Sequence, residues 1–177
     1  MTARRLHIGG TLRHPDWEVI DAIPGPHVDH TGNAGDLARF PDATFEALYA
    51  SHVLEHFDYA GAMEAALAEW RRVLKPGGAL YVSVPDLDVL AGLFLRKDAL
   101  TIGQRFHVMR MIFGGHTTPY DYHHVGLNAE FLALFLTRAG FADIRRQAAF
   151  GLFADTSILT FGGIPISLNM TAIRPAS

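Results

Sequence analysis

Short apolar runs alternate along this chain with stretches whose apolar residues recur every three or four positions. Residues 5–8 read as a strand stopped by Gly9 and Gly10, and residues 17–20 as a second strand ending at Asp21 and Ala22. Between them, Pro15 and a polar composition leave no room for a full helix. Turn chemistry at Ile23-Pro24-Gly25-Pro26 precedes a third short strand over 28–31 and a loop over 32–36. Pro41-Asp42 marks the turn before a fourth strand.

The clearest unit spans residues 45–85. An apolar strand through Ala47-Leu48-Tyr49-Ala50-Ser51 runs into His52-Val53-Leu54-Glu55-His56-Phe57. A helix with one apolar stripe (Met63, Leu67, Trp70, Val73, Leu74) follows, stopped by Lys75-Pro76-Gly77-Gly78, and then a strand over 79–84. Strand, helix and strand in this order make a βαβ unit, which implies a parallel sheet. Ligands of such sheets bind at the carboxyl ends of the strands, here Ser51-His52 and Pro85-Asp86.

Beyond this unit, Asp86 is placed to cap a helix carrying Leu87 to Leu95, and a second helix is expected over 102–113. Residues 114–126 form a loop dense in His, Tyr, Thr and Asp. Asn128 caps a helix over 129–139 that Gly140 ends, and residues 141–150 and 167–173 read as two closing strands joined by a long loop. The prediction is an α/β domain with a twisted, mostly parallel sheet, an antiparallel strand late in the chain, and a first helix shortened or missing.

Composition narrows the class. The chain has 177 residues, enough for one domain with a substantial core, and no cysteine, which excludes disulfides, thiol catalysis and cysteine-ligated zinc. A formal charge of −3, with paired arginines only at Arg4-Arg5, Arg71-Arg72 and Arg145-Arg146, lacks the basic footprint of a nucleic-acid binder. With an apolar strand almost at the first residue no signal peptide is expected, and no apolar run reaches the length of a membrane span. A soluble, cytoplasmic protein is expected: a single domain over 1–177, its core at about 5–85 and 128–175, with a substrate or lid insertion at about 86–127. Apolar content in 90–95 and 150–165 makes a homodimer an expectation as well.

This order of elements resembles the class I S-adenosylmethionine-dependent methyltransferases, and within them a small predicted-methyltransferase branch with a shortened N-terminal glycine motif. The resemblance is carried by Gly32-Asn33-Ala34, Leu37, Phe40-Pro41-Asp42, Phe45, Ser51-His52-Val53-Leu54-Glu55-His56 and Leu74-Lys75-Pro76-Gly77-Gly78, in order and spacing. It implies a Rossmann-like methyltransferase fold, S-adenosylmethionine as cofactor and methyl transfer to a small-molecule or saccharide-like acceptor. It also implies the cofactor residues. Gly9 and Gly10 match the glycine turn after the first strand, Asp21 the acid that accepts ribose hydroxyls, and Asn33 a position near the adenine. Ser51 and His52 match the strand end beside the methyl group. The family's acidic-x-Gly-x-Gly-x-Gly turn is reduced here to His7-Ile8-Gly9-Gly10-Thr11, and the helix that follows it is largely missing. A catalytically inactive module with this fold is the competing expectation.

On the acceptor side, His116, His123 and His124 are candidate general bases, because imidazole titrates in the useful range. Asp121 is a candidate to orient one of these rings, and Tyr120 or Tyr122 to wall the pocket. Met109, Met111 and Phe113 read as core or lid packing. His52-Val53-Leu54-Glu55-His56 also fits the His-x-x-Glu-His zinc pattern of inverted metallopeptidases. Its first histidine falls at a strand end rather than inside a helix, so no metal is expected, and Glu55 and His56 are read as a locally hydrogen-bonded polar pair.

Overall fold

The computed structural model describes residues 3–176. Four parallel strands open the chain: β1 (Arg5–Ile8), β2 (Glu18–Asp21), β3 (His30–Thr31) and β4 (Phe45–Ser51). Helix α1 (Ala62–Val73) leads into β5 (Leu74–Pro85), followed by α2 (Leu87–Leu95), α3 (Ile102–Phe113), α4 (Ala129–Arg138) and β6 (Ala142–Gln147). A small hairpin, β7 (Thr160–Phe161) and β8 (Ile164–Pro165), precedes β9 (Ser167–Ile173). The main sheet has the order β3-β2-β1-β4-β5-β9-β6, with β9 antiparallel to both neighbours. The mostly parallel sheet with one late antiparallel strand is therefore as expected.

Among the described residues no helix lies between β1 and β2, and none before α1 apart from the single 3-10 turn Leu54–His56. The first helix is absent rather than shortened, and the β2–β3 and β3–β4 connections are irregular, as the turn at Ile23–Pro26 and the loop at 32–36 predicted. Strands β2 and β3 are correspondingly short.

Alternation along the strands divides the sheet into two unlike faces. Leu6, Ile8, Leu48, Ala50, Leu80 and Val82 face a core completed by the buried stripe of α1 and by Leu132 and Leu136 of α4. The opposite face carries His7, Tyr49, Ser51 and Ser83. It is covered by the segment 148–158, irregular except for a 3-10 turn at Thr156–Ile158, rather than by an α-helix. Phe153 packs its ring on His7 at 4.3 Å and on Tyr49 at 4.6 Å between centroids. Polar bonds fix the same segment: Tyr49 donates to Asp155 at 2.9 Å, and Asn169 donates to the Ser157 carbonyl at 2.9 Å. Phe150 and Phe153 are thus used inside the fold, whereas Ile158 and Leu159 of the same stretch stay exposed.

The Lys75-Pro76-Gly77-Gly78 run differs from expectation, since β5 begins directly at the end of α1. Phe45 pairs with Leu74 and Ala47 with Ala79, so residues 75–78 bulge opposite Glu46. The bulge stays in the ladder because Gly77 donates to the Arg174 carbonyl and Arg174 to the Gly78 carbonyl. Asp86 caps α2 through Asp88 and Val89, and Asn128 caps α4 through Phe131, both as expected. No helix of the described residues is long and apolar enough to cross a membrane.

Candidate active site

Two cavities open at the carboxyl ends of the parallel strands. The first, of about 270 Å³, takes Gly9 from the end of β1, Asp21 from β2, Asn33 from the loop after β3, and His52 and Phe57 from beyond β4. Gly9 holds φ +68°, and its N–H donates to the Ile20 carbonyl at 2.8 Å. Asp21 uses one oxygen to accept the Ile23 N–H at 2.7 Å, which leaves the other free at the cavity wall. Asn33 Oδ1 accepts the Gly35 N–H at 2.7 Å and shapes its own turn, and the Ala34 carbonyl accepts from the buried Trp70 indole at 2.7 Å. The loop is thereby tied to α1.

The second cavity, of about 230 Å³, lies between Pro85, α3 and the 114–123 loop, with Arg110, Met111, Asp121 and His123 among its walls. His52 lines both cavities. Its backbone is left-handed, φ 54°, a conformation that strains a non-glycine residue and recurs at functional sites. Its N–H donates to the Ser83 carbonyl at 2.9 Å. Ser167 Oγ donates to the Thr156 carbonyl at 2.7 Å and lies 2.9 Å from His52 Nε2. Burial, and then the neighbouring His123, lower the His52 pKa to about 4, so the ring is neutral at ordinary pH.

The 3-10 turn Leu54–His56 aims Glu55 inward. Its side chain is 1% exposed, and neither carboxylate oxygen has a hydrogen-bond partner. The locally bonded pair expected from sequence is not formed. Burial raises the Glu55 pKa to about 8. Its Oε1 lies 3.7 Å from His52 Nδ1 and 3.9 Å from His123 Nε2. His123 approaches the Ile112 carbonyl through Nδ1 at 3.2 Å, and burial, then His56, lower its pKa to about 4.

Gly9, Asp21, Asn33 and His52 therefore share the first cavity, whereas Gly10 and Ser51 line neither. Gly10 is buried against the His7 ring, and the Ser51 hydroxyl meets Thr156 Oγ1 at 2.7 Å. Asp121 and His123 reach the second cavity; His116 and His124 do not. His116 stacks on Tyr122 and bonds the Phe113 carbonyl through Nε2 at 2.8 Å, and His124 is exposed. Asp121 bonds no imidazole among the described residues. It accepts the Thr117 hydroxyl at 2.6 Å and the Gly115 and Thr117 N–H groups at 3.1 Å, which lower its pKa to about 2, the hydroxyl most of all. Its role is to staple the loop. Tyr120 walls the first cavity, and Met111 the second. The sequence places Glu55 in a His-x-x-Glu-His pattern, read as a locally bonded polar pair; its burial beside His123 is what local pattern does not contain.

The family described as "Methyltransferase domain" matches residues 21–82, from the end of β2 into β5. The protein named "Probable methyltransferase ltbC" from Aspergillus luteorubrus is 30% identical over 118 residues, 67% of this chain and 39% of its own length. The chain thus spans well under half of that relative. Among solved structures, a SAM-dependent methyltransferase from Archaeoglobus fulgidus superposes with a TM-score of 0.62 at 15% identity, covering 97% of this chain and 86% of that one. The Burkholderia thailandensis 1,6-didemethyltoxoflavin-N1-methyltransferase, with 1,6-didemethyltoxoflavin and S-adenosylhomocysteine bound, gives 0.61 at 17% identity over 98% and 71%. At these identities the structural likeness is one of fold.

Proposed function

We propose, from the match to the methyltransferase domain family and the methyltransferase-like fold, that the chain is a class I S-adenosylmethionine-dependent methyltransferase that binds S-adenosylmethionine in the first cavity and transfers the methyl group to a small acceptor in the second. The observation that carries this reading is His52, held in strained backbone at the end of β4 as a wall common to both cavities.

The residues fit the cofactor. Asp21 keeps one carboxylate oxygen free where a ribose hydroxyl would donate, while Ile20, Ile23 and Phe57 offer apolar walls to a base. No Lys or Arg lines the first cavity among the described residues, and His52 is neutral, so a sulfonium meets no fixed positive charge. Bound there, the cofactor supplies an electrophilic methyl group. The protein's share is alignment of the acceptor and exclusion of water. Neutral His52 and His123 are the groups at the dividing wall able to accept the acceptor's proton. We assign the segment 86–127 to acceptor binding, with Asp121 holding its loop closed. Arg110 and Asp121 in the cavity wall favour a polar, saccharide-like or hydroxylated molecule.

The helix-free turn after β1 favours one competing reading, a non-catalytic module, because it lacks the oriented N–H donors of a helix start. Calorimetric titration with S-adenosylhomocysteine separates the two. Saturable binding, weakened at least about 10-fold by Asp21→Ala, is expected from loss of a hydrogen-bonded carboxylate. Absence of binding at millimolar ligand would overturn the methyltransferase reading.

A further inference from the structure

Glu55 poses a problem that the proposed methyl transfer does not solve: a fully buried carboxyl group with no donor to either oxygen. Its neighbours are imidazoles, and the bonds on their far sides fix their tautomers. His56 Nδ1 meets the Tyr122 carbonyl at 3.0 Å and His123 Nδ1 the Ile112 carbonyl at 3.2 Å. A carbonyl only accepts, so both Nδ1 atoms carry the proton and both Nε2 atoms offer a lone pair. The Ser167 hydroxyl spends its proton on the Thr156 carbonyl, so His52 Nε2 carries a proton too, and His52 Nδ1 is left with a lone pair facing Glu55. Electron-pair donors thus converge on an unpaired acid from two distant parts of the chain.

One ligand atom from each of Glu55, His56 and His123 lies within 4.8 Å of the others. Two imidazoles and one carboxylate suit a divalent first-row transition ion. Backbone carbonyls behind the ring N–H groups are the supports that metal-ligating histidines require. Tetrahedral zinc with bonds of 2.0–2.1 Å separates its ligands by about 3.3 Å, so the donors, 3.9 Å apart for His123 Nε2 and Glu55 Oε1 and within 4.8 Å across the set, close by side-chain shifts of about 1–1.5 Å.

We propose that Glu55, His56 and His123 form a binding site for a divalent transition-metal ion, with His52 Nδ1 within reach as a fourth donor. The site stands between the two cavities, since His56 lines the first and His123 the second. An ion there would polarise an acceptor oxygen and lower its pKa, replacing a general base. That consequence rests on the methyl-transfer reading; binding of the ion does not.

The test uses the full chain, stripped with chelator and dialysed, then titrated with zinc and, for its visible spectrum, with cobalt(II). One equivalent of zinc per chain is expected after dialysis, with cobalt bands of tetrahedral intensity. Glu55→Gln and His123→Ala should each weaken zinc binding by at least about 100-fold, more than the loss of an outer support would. His56→Ala, at a half-exposed position, carries the test where the buried variants fail to fold. Substoichiometric zinc in the unmodified protein, or one equivalent retained by every folded variant, would overturn the proposal. S-adenosylhomocysteine calorimetry on the same samples reports separately on the cofactor site, so failure of one reading is not mistaken for failure of the other.

Discussion

Gly9 occupies a position that a side chain cannot share. At φ +68° an L-residue is strained, and a Cβ would sit 2.5 Å from Val53 Cγ2, deep inside van der Waals contact. Gly9→Ala should therefore destabilise the fold by about 1–3 kcal/mol in urea titration, with Val53 pushed into the first cavity. His7 gives a prediction in pH. It is buried against Phe153 and Tyr49, and burial lowers its pKa from 6.5 to about 4. Between those values the unfolded chain takes up a proton that the native ring refuses, so acidification favours unfolding. Above pH 6.5 both states are neutral at this ring and its contribution is flat. His7 should steepen the fall in stability by up to about 1.4 kcal/mol per pH unit across that window. His7→Leu should make the slope shallower there and leave it unchanged above pH 7, as read from urea midpoints at successive pH values. At this scale the sequence exposed Gly9, Asp21, Asn33 and His52, because each stands at a strand end or turn that local pattern locates. It named Glu55 but hid its burial, which depends on His123 arriving from a loop beyond α3.

At the scale of elements, the segment 148–158 does the work of a missing helix layer. It has no period that sequence reading recognises: Phe150, Leu152 and Phe153 meet Tyr49, Trp17 and Tyr81 through an irregular backbone. Its order comes instead from bonds to the strands, Tyr49 to Asp155 and Asn169 to Ser157. Phe153→Ala should cost about 3–5 kcal/mol, the range for removing a packed aromatic ring, and Tyr49→Phe about 1.5–3 kcal/mol for the lost bond to a carboxylate. Thermal unfolding followed by circular dichroism checks both, and a smaller effect at Phe153 than at Tyr49 would contradict the assignment of the ring as the main anchor. The regular elements were legible for the opposite reason. The stripe Met63, Leu67, Trp70 and Val73 and the caps Asp86 and Asn128 are local signals, and the tertiary structure respects them. Lys75-Pro76-Gly77-Gly78 follows the end of α1 as read, but its further role as a bulge is set by the strand opposite and by Arg174, which local pattern does not contain.

Over the whole molecule, the sheet is unevenly supported. Strands β4, β5 and β9 form long ladders at its centre, whereas β2 has 4 residues, β3 has 2, and no helix among the described residues joins either to its neighbours. Opening of this edge breaks only the short β1–β2 and β2–β3 ladders and so lies at the low end of the local stability range. Yet Gly9, Asp21 and Asn33 of the first cavity all sit on this side of the sheet, so a ligand there bridges the weakly supported edge to His52 and Phe57 at the centre. Binding to the closed form alone adds RT ln(1 + [L]/Kd), about 2.7 kcal/mol at a hundredfold excess over Kd, which corresponds to roughly 100-fold slower opening-limited exchange. Amide hydrogen exchange with saturating S-adenosylhomocysteine should accordingly slow most in residues 18–34 and 52–57, and least in β6 at the far edge. Slowing spread evenly over both edges would mean that the ligand stabilises the fold as one unit, and that the missing helices leave no separately opening half for it to close.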